Sequence, residues 1–274
     1  MGLSNKINSL KLKNLNFYAF LLHFISGVVI AGLLFGLVGD IDFNTNLYAY
    51  KIKKIEQGGN ITFSFGEPGD PELENSSDAL KTIVVLIFLI TALFHFFYWR
   101  SKAYIDEVKS GKNRFRWVEY AITATLMIYI YNILSGVKDI YSSFLIVILN
   151  IVMISFGYFL EMSPDPKVKL SALIMGFFIL TVIFGISYYQ FVLNLNAAKK
   201  DFDIPDWVYA VVIAMIFWWI TFGVVAVLYY RAYTKGNLDF SRYEKYYIFL
   251  SFVSKAFMGY YITFGLTRDS PKEK

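Results

Sequence analysis

An amine and a carboxylate are the two groups in this chain whose placement suits them to chemistry. Lys255 stands twelve residues from Tyr243 and twelve from Thr267, in the middle of an apolar stretch. In a helix that is about 18 Å from either end, too deep for the stem to carry its charge to water. Of the 26 basic residues it alone sits mid-stretch, and of the 21 acids only Glu119 lies clearly inside one. A buried charge costs about 2.5–3.5 kcal/mol even on a lenient insertion scale. Each residue has two readings. Lys255 pairs with a carboxylate for structure or lines a transport path; alternatively, its desolvated amine forms a Schiff base with an aldehyde. Glu119 pairs with Arg116 or Arg114 at a helix end, or it answers Lys255. The two histidines, His23 and His95, are hydrogen-bonded core residues or a pair that holds a proton. Glu161, at the end of a span, is expected to be solvated.

These groups need elements to hold them. Hydrophobic residues make up 57% of 274, charged residues 17%, and mean hydropathy is +0.49. A soluble domain is typically about 25% charged, so a membrane protein is indicated. Spans of about 20 apolar residues cross a bilayer. Seven qualify: Leu15–Val38, Ala79–Trp99, Phe115–Gly136, Ile140–Leu160, Leu170–Leu195, Trp207–Tyr230 and Tyr243–Leu266. The expected fold is an all-α membrane protein, one seven-helix domain over the whole chain. With the N-terminus inside, the inner face holds fifteen basic residues and the outer face ten. Basic loops lie inside, which sets the N-terminus inside and the C-terminus outside. The first span is too long for a signal-peptide core and is expected to be retained. The third and seventh spans then run the same way. Counted from their starts, Glu119 and Lys255 differ in depth by about 12 Å, of which the lysine stem covers about half.

The loop from 39 to 78 then lies outside. Leu47–Ile55 and Ile61–Phe65 alternate apolar and polar residues around Gly58-Gly59-Asn60, which predicts a β-hairpin ended by Pro68 and Pro71. Asn60-Ile61-Thr62 and Asn75-Ser76-Ser77 are glycosylation triplets, relevant only in a eukaryotic host. All six prolines fall outside the spans.

At this point the residues resemble a known family. Seven spans, a lysine central in the seventh and an acid one turn into the third resemble a microbial rhodopsin. Arg116-Trp117-Val118-Glu119-Tyr120 resembles the third-helix motif of heliorhodopsins, and Ser251-Phe252-Val253-Ser254-Lys255 resembles their retinal-lysine segment. The inside N-terminus, the long first outer loop with its hairpin, and the pair His23 and His95 also match that family. The resemblance implies all-trans retinal on Lys255 as a protonated Schiff base, with Glu119 as counterion and Tyr120 and Ser251 beside it. Ser251 stands where a pump such as bacteriorhodopsin has a second carboxylate. Thr123 lies one turn after Glu119, and Ile130 stands eleven residues after it, where a pump places a second acid. Met127 is expected along the polyene, Asn150 and Ile154 flanking its ring, and Trp218 and Phe222 on the other side. His23 and His95 would form a proton-accepting cavity with Glu119. A homodimer is implied likewise.

The function so implied is light sensing without net pumping. A light-gated proton or ion conductance with the same chromophore is the alternative. A non-photochemical receptor or transporter fits less well: there is no Cys for an outer disulfide, no internal repeat and no broken helix. The chain lacks the motifs of a soluble enzyme, so no catalysis is expected. Two histidines and no cysteine argue against a metal site. The basic segment Arg100–Arg116 is a positive-inside signal, suited also to anionic lipid or a cytoplasmic signalling partner; nucleic acid is not indicated.

Overall fold

Long runs of Leu, Ile, Val and Phe without interior proline leave the backbone one way to satisfy itself in an apolar setting, the α-helix. The computed structural model describes residues 2–38, 47–57, 60–73, 77–198 and 205–269. Its elements are α1 (Gly2–Gly36), β1 (Leu47–Gln57), β2 (Asn60–Leu73), α2 (Ser77–Arg100), α3 (Lys102–Lys109), α4 (Arg114–Leu134), α5 (Ile140–Met162), α6 (Pro166–Ala198), α7 (Asp206–Thr234) and α8 (Phe240–Asp269). Seven of these, all but the short α3 among the helices, are long and apolar enough to cross a membrane, which makes this an integral multi-pass protein. Neighbours in the chain pack side by side, and α8 closes the ring against α1.

Local signals set the helix ends. Ser101, Asn113 and Asp139 cap α3, α4 and α5 by accepting from backbone N–H groups of Tyr104, Arg116 and Ser142. Pro166 opens α6, a position where its missing N–H costs nothing. Gly136, at φ 74°, takes the left-handed turn that ends α4 two residues short of the expected boundary. Exposed residues are strongly apolar: Leu93, Phe144, Phe178 and Phe249 all stand at the surface. Such a surface faces lipid, and it absorbs much of the aromatic excess.

β1 and β2 pair antiparallel, Gln57 opposite Asn60. Contrary to expectation, Pro68 and Pro71 do not end the second strand, which runs to Leu73. In a two-stranded ribbon each strand is an edge, where proline is tolerated, and register shifts fall around their partners Tyr50 and Tyr48. The turn residues Gly58 and Gly59, and Asn75 and Ser76 of the second triplet, lie outside the described residues.

Buried apolar residues form two clusters. One gathers Ile30, Phe88, Ile130 and Trp207 towards the hairpin end of the bundle. The other gathers Leu12, Tyr98, Tyr104 and Tyr247 towards the end carrying α3.

Candidate functional site

The seventh long helix and α4 meet at a shared level. Asn113, the cap of α4, donates through Nδ2 to Glu244 of α8 at 2.9 Å. From that level Glu119 lies six residues up α4, about 9 Å, and Lys255 eleven residues up α8, about 16.5 Å. The difference of roughly 7 Å is the reach of a lysine stem leaning towards its helix N-terminus. The gap of about 12 Å expected from the span starts was too large, because α4 begins sunk in the bundle behind α3.

Lys255 Nζ therefore comes to 3.7 Å from Glu119 Oε1, with both side chains at most 4% exposed. Lys255 also donates to Ser251 Oγ at 2.6 Å, one turn back on its own helix. The Tyr120 ring centroid is 5.4 Å from Nζ, and Tyr120 Oη donates to the Tyr247 carbonyl. Tyr98 Oη donates to Glu119 Oε2 at 3.0 Å, while Oε1 has no hydrogen-bond partner among the described residues. Thr123 is buried, but its hydroxyl bonds back to the Glu119 carbonyl.

An apolar cavity of about 140 Å³ starts at Lys255 and Ser254 and runs between α4, α5, α6 and α7. One water needs about 10–15 Å³ on the same measure, so the space suits an extended apolar body. Met127, Ile154 and Phe222 line it, together with Trp117 and Tyr120. Trp218 does not; Trp219 takes that place. Val211, Met215 and Trp219 are buried along α7, whereas Trp218, about 100° round the helix from Trp219, is only partly buried. Trp218 instead meets Phe257. Asn150 also stays outside the lining, because its amide donates to Thr125 across the α4–α5 contact. Chemically, a desolvated amine with a carboxylate at hand, at the head of an apolar slot, fits a slender apolar aldehyde.

His23 and His95 are 0% and 2% exposed and stack with centroids 5.2 Å apart. Their tautomers follow from their partners. His23 Nδ1 faces the Ala19 carbonyl at 2.8 Å, which only accepts. His95 Nδ1 faces Asn16 Oδ1 at 2.8 Å, and Asn16 spends its amide hydrogens on the Leu12 carbonyl and Tyr104 Oη. Both neutral rings therefore carry hydrogen on Nδ1 and leave Nε2 bare. Neither Nε2 has a partner among the described residues. His95 also packs edge-on against Tyr98, 5.6 Å away, which places the pair beside Glu119.

Sequence reasoning missed a second ionic cluster. Arg116 pairs with both Glu161 and Glu244, and all three are buried. Asn113 N donates to Glu161. Lys169 is buried too, its Nζ on the carbonyls of Leu160 and Glu161 and on Tyr229 Oη. So Glu161 is not solvated, and Arg116 and Lys169 do not face inner solvent. Arg116 does not pair with Glu119, and Arg114 pairs with Glu107 instead. Lys81, counted with the outer loop, is also buried and donates to the Val38 carbonyl at 3.2 Å. The available signal was spacing: Arg116 and Glu119 are three apart on one helix face, as are His95 and Tyr98.

The fold has solved counterparts. A light-driven proton pump from Leptosphaeria maculans aligns at TM-score 0.64 and 14% identity, over 92% of this chain and 94% of that one. Exiguobacterium sibiricum rhodopsin aligns at 0.65 and 14%, over 96% and 98%. The transmembrane domain and linker region of a Salpingoeca rosetta rhodopsin phosphodiesterase align at 0.66 and 11%, over 94% and 71%. At these identities the likeness is one of fold. No curated protein sequence matches the chain. The heliorhodopsin family model, however, matches residues 12–267. With that match spanning nearly all of the bundle, from α1 to the last turn of α8, the chain belongs to the heliorhodopsin family.

Proposed function

We propose that this protein is a retinal-binding light sensor without net ion pumping. Lys255 Nζ holds all-trans retinal as a protonated Schiff base, and Glu119 is its counterion. The observation that carries this reading is the lysine–carboxylate pair, 3.7 Å apart, at the head of the apolar cavity. Bound there, retinal supplies absorption of visible light and a light-driven change of shape. The remaining work belongs to the chain. Glu119, held by Tyr98, keeps the lysine nitrogen protonated in the dark, since an opposite charge at short range favours the charged form. Ser251, Tyr120 and Thr123 complete the polar surroundings. Met127, Ile154 and Phe222 exclude water along the slot. After illumination the bare Nε2 atoms of His23 and His95, with Glu119 Oε1, hold the displaced proton. Its slow return sets the lifetime of the signalling state.

In this reading the N-terminus and α3 face the cytoplasm and the hairpin and C-terminus face outside. The chain works in the bilayer as a homodimer, and the basic segment around α3 meets a cytoplasmic signalling partner. Lys255→Ala is expected to abolish visible absorption in retinal-reconstituted membranes; a surviving visible band refutes the assignment.

A light-gated proton conductance is the second reading, and one observation favours it. Tyr131 Oη, Asn132 Oδ1, Ser135 Oγ and Ser187 Oγ are fully buried in the hairpin half, with no hydrogen-bond partner among the described residues. Polar groups of that kind suit a hydrated outer path. Voltage clamp under illumination decides: a photocurrent that reverses with driving force supports conduction, and its absence supports sensing alone.

A further inference from the structure

We infer that Asn16 is a proton break that confines the displaced proton to the histidine pair. The inference rests on the sensing reading just given. An unbroken set of buried hydrogen bonds leads from that pair to the inner ionic cluster. His95 Nδ1 donates to Asn16 Oδ1 at 2.8 Å, Asn16 Nδ2 to Tyr104 Oη at 3.0 Å, and Tyr104 Oη to Glu244 Oε1 at 3.1 Å. All four side chains are at most 2% exposed. By geometry the path is complete.

By chemistry it is not. Imidazole and phenol both accept and release a proton, and a carboxylate receives one. The amide of Asn16 is the one link that does neither at neutral pH, because its oxygen only accepts hydrogen bonds and its nitrogen only donates them. It is also fixed in place, since its second amide hydrogen is bound to the Leu12 carbonyl at 3.0 Å, one turn back on α1. A parallel route through Tyr98 ends early. Tyr98 Oη donates to Glu119, and Tyr98 meets Tyr104 by ring stacking, centroids 4.8 Å apart, which carries no proton.

The break predicts what its repair does. With Asn16→Asp, the introduced carboxylate takes the Nδ1 proton of a doubly protonated His95 and passes it to Tyr104 Oη. Tyr104 in turn yields its own proton to Glu244. His95 ends neutral, Glu244 gives the proton on to inner water and returns to a carboxylate beside Arg116, and the introduced carboxylate and Tyr104 end as they began. Charge and atoms balance. Glu244, four residues into α8, is then the last station before the inner surface.

The test uses the full chain with retinal in vesicles, a pH dye on the inner face, and a flash. The native protein is expected to show an intermediate whose lysine nitrogen has lost its proton, seen as near-ultraviolet absorption, without an inner proton signal. Asn16→Asp is expected to give an inner signal that rises with the intermediate, and adding Tyr104→Phe is expected to remove it. Asn16→Leu is expected to give none. An inner signal in the native protein that matches the intermediate in amount overturns the proposal. So does an Asn16→Asp pigment that forms the intermediate and releases nothing. If the native pigment forms no such intermediate, the sensing reading itself fails, and the spectrum alone reveals that. A measurement without retinal stands beside these and decides when a variant does not form pigment. Nitrogen-15 resonances of His95 are expected to show hydrogen on Nδ1 and a bare Nε2; the opposite tautomer overturns the chain of donors.

Discussion

Arg116→Met removes the one guanidinium shared by two buried carboxylates. Arg116 and Glu161 are each 3% exposed at the side chain and Glu244 is 1%. Breaking a buried ion pair by removing one partner costs about 3–5 kcal/mol. The lower end applies here. Glu244 keeps Asn113 Nδ2 at 2.9 Å and Tyr104 Oη at 3.1 Å, and Glu161 keeps the Asn113 backbone N–H. Lys169 does not step in, since its ammonium already sits on the Leu160 carbonyl at 2.6 Å. Methionine retains a soft contact with the Tyr247 ring that Arg116 now covers at 4.2 Å, so the loss reports charge rather than packing. At about 2–4 °C per kcal/mol for chains of this size, the midpoint should fall by about 6–12 °C. The assay is loss of visible absorption on heating in detergent. The triple variant Arg116→Met, Glu161→Gln, Glu244→Gln carries no stranded charge and should regain at least half of the loss. A single variant within about 2 °C of native, or a triple variant as unstable as the single one, refutes the reasoning.

Further outcomes follow from the site. Glu119→Gln removes an attraction of about 4.5 kcal/mol at 3.7 Å and an effective dielectric of about 20, roughly a thousandfold in protonation; spectra at neutral pH should lose the visible band and regain it in acid, and an unchanged band refutes the counterion role. Tyr98→Phe strips one donor from Glu119, a bond worth about 1.5–3 kcal/mol. It concentrates negative charge near Lys255, so the visible band should move to the blue; a red shift contradicts this. Gly157→Ala puts a methyl 2.2 Å from the Trp117 ring, which lines the cavity. Pigment yield should fall several-fold, while Gly185→Ala, with nothing within 4 Å, should leave it unchanged; equal yields count against the cavity as the binding slot.

The lysine and its carboxylate were legible because a span tolerates few charges, and counting isolates those that remain. Asn16, Tyr98 and Tyr104 were not, since neutral polar residues carry no such penalty and pass unnoticed in an aromatic-rich chain. Arg116, Glu161, Lys169 and Glu244 were hidden for another reason. They sit near span ends, where solvation is the ordinary expectation, and only tertiary packing buries them, the sunken start of α4 around Arg116, Glu161 and Glu244 and the end of α5 with α7 around Lys169. The adjacent Trp218 and Trp219 posed a choice of about 100° on the helix wheel that periodicity in so uniformly apolar a helix does not settle. The hairpin's alternation located both strands, but their length depended on a ribbon with two free edges.

The ionic cluster at the α3 end of the bundle holds two cations, Arg116 and Lys169, and two anions, Glu161 and Glu244. Its sum is zero, and that has an electrical meaning. One elementary charge crossing a membrane exchanges about 2.3 kcal/mol with each 100 mV. A neutral cluster that shifts as a unit along the membrane normal exchanges none, so resting voltage does not pull on this end of the bundle. In Asn16→Asp, a single proton moving between the level of Lys255 and that of Glu244, about 16 Å of some 30 Å, feels about half the full potential. Voltage therefore acts on the proton alone and leaves the scaffold around it unloaded.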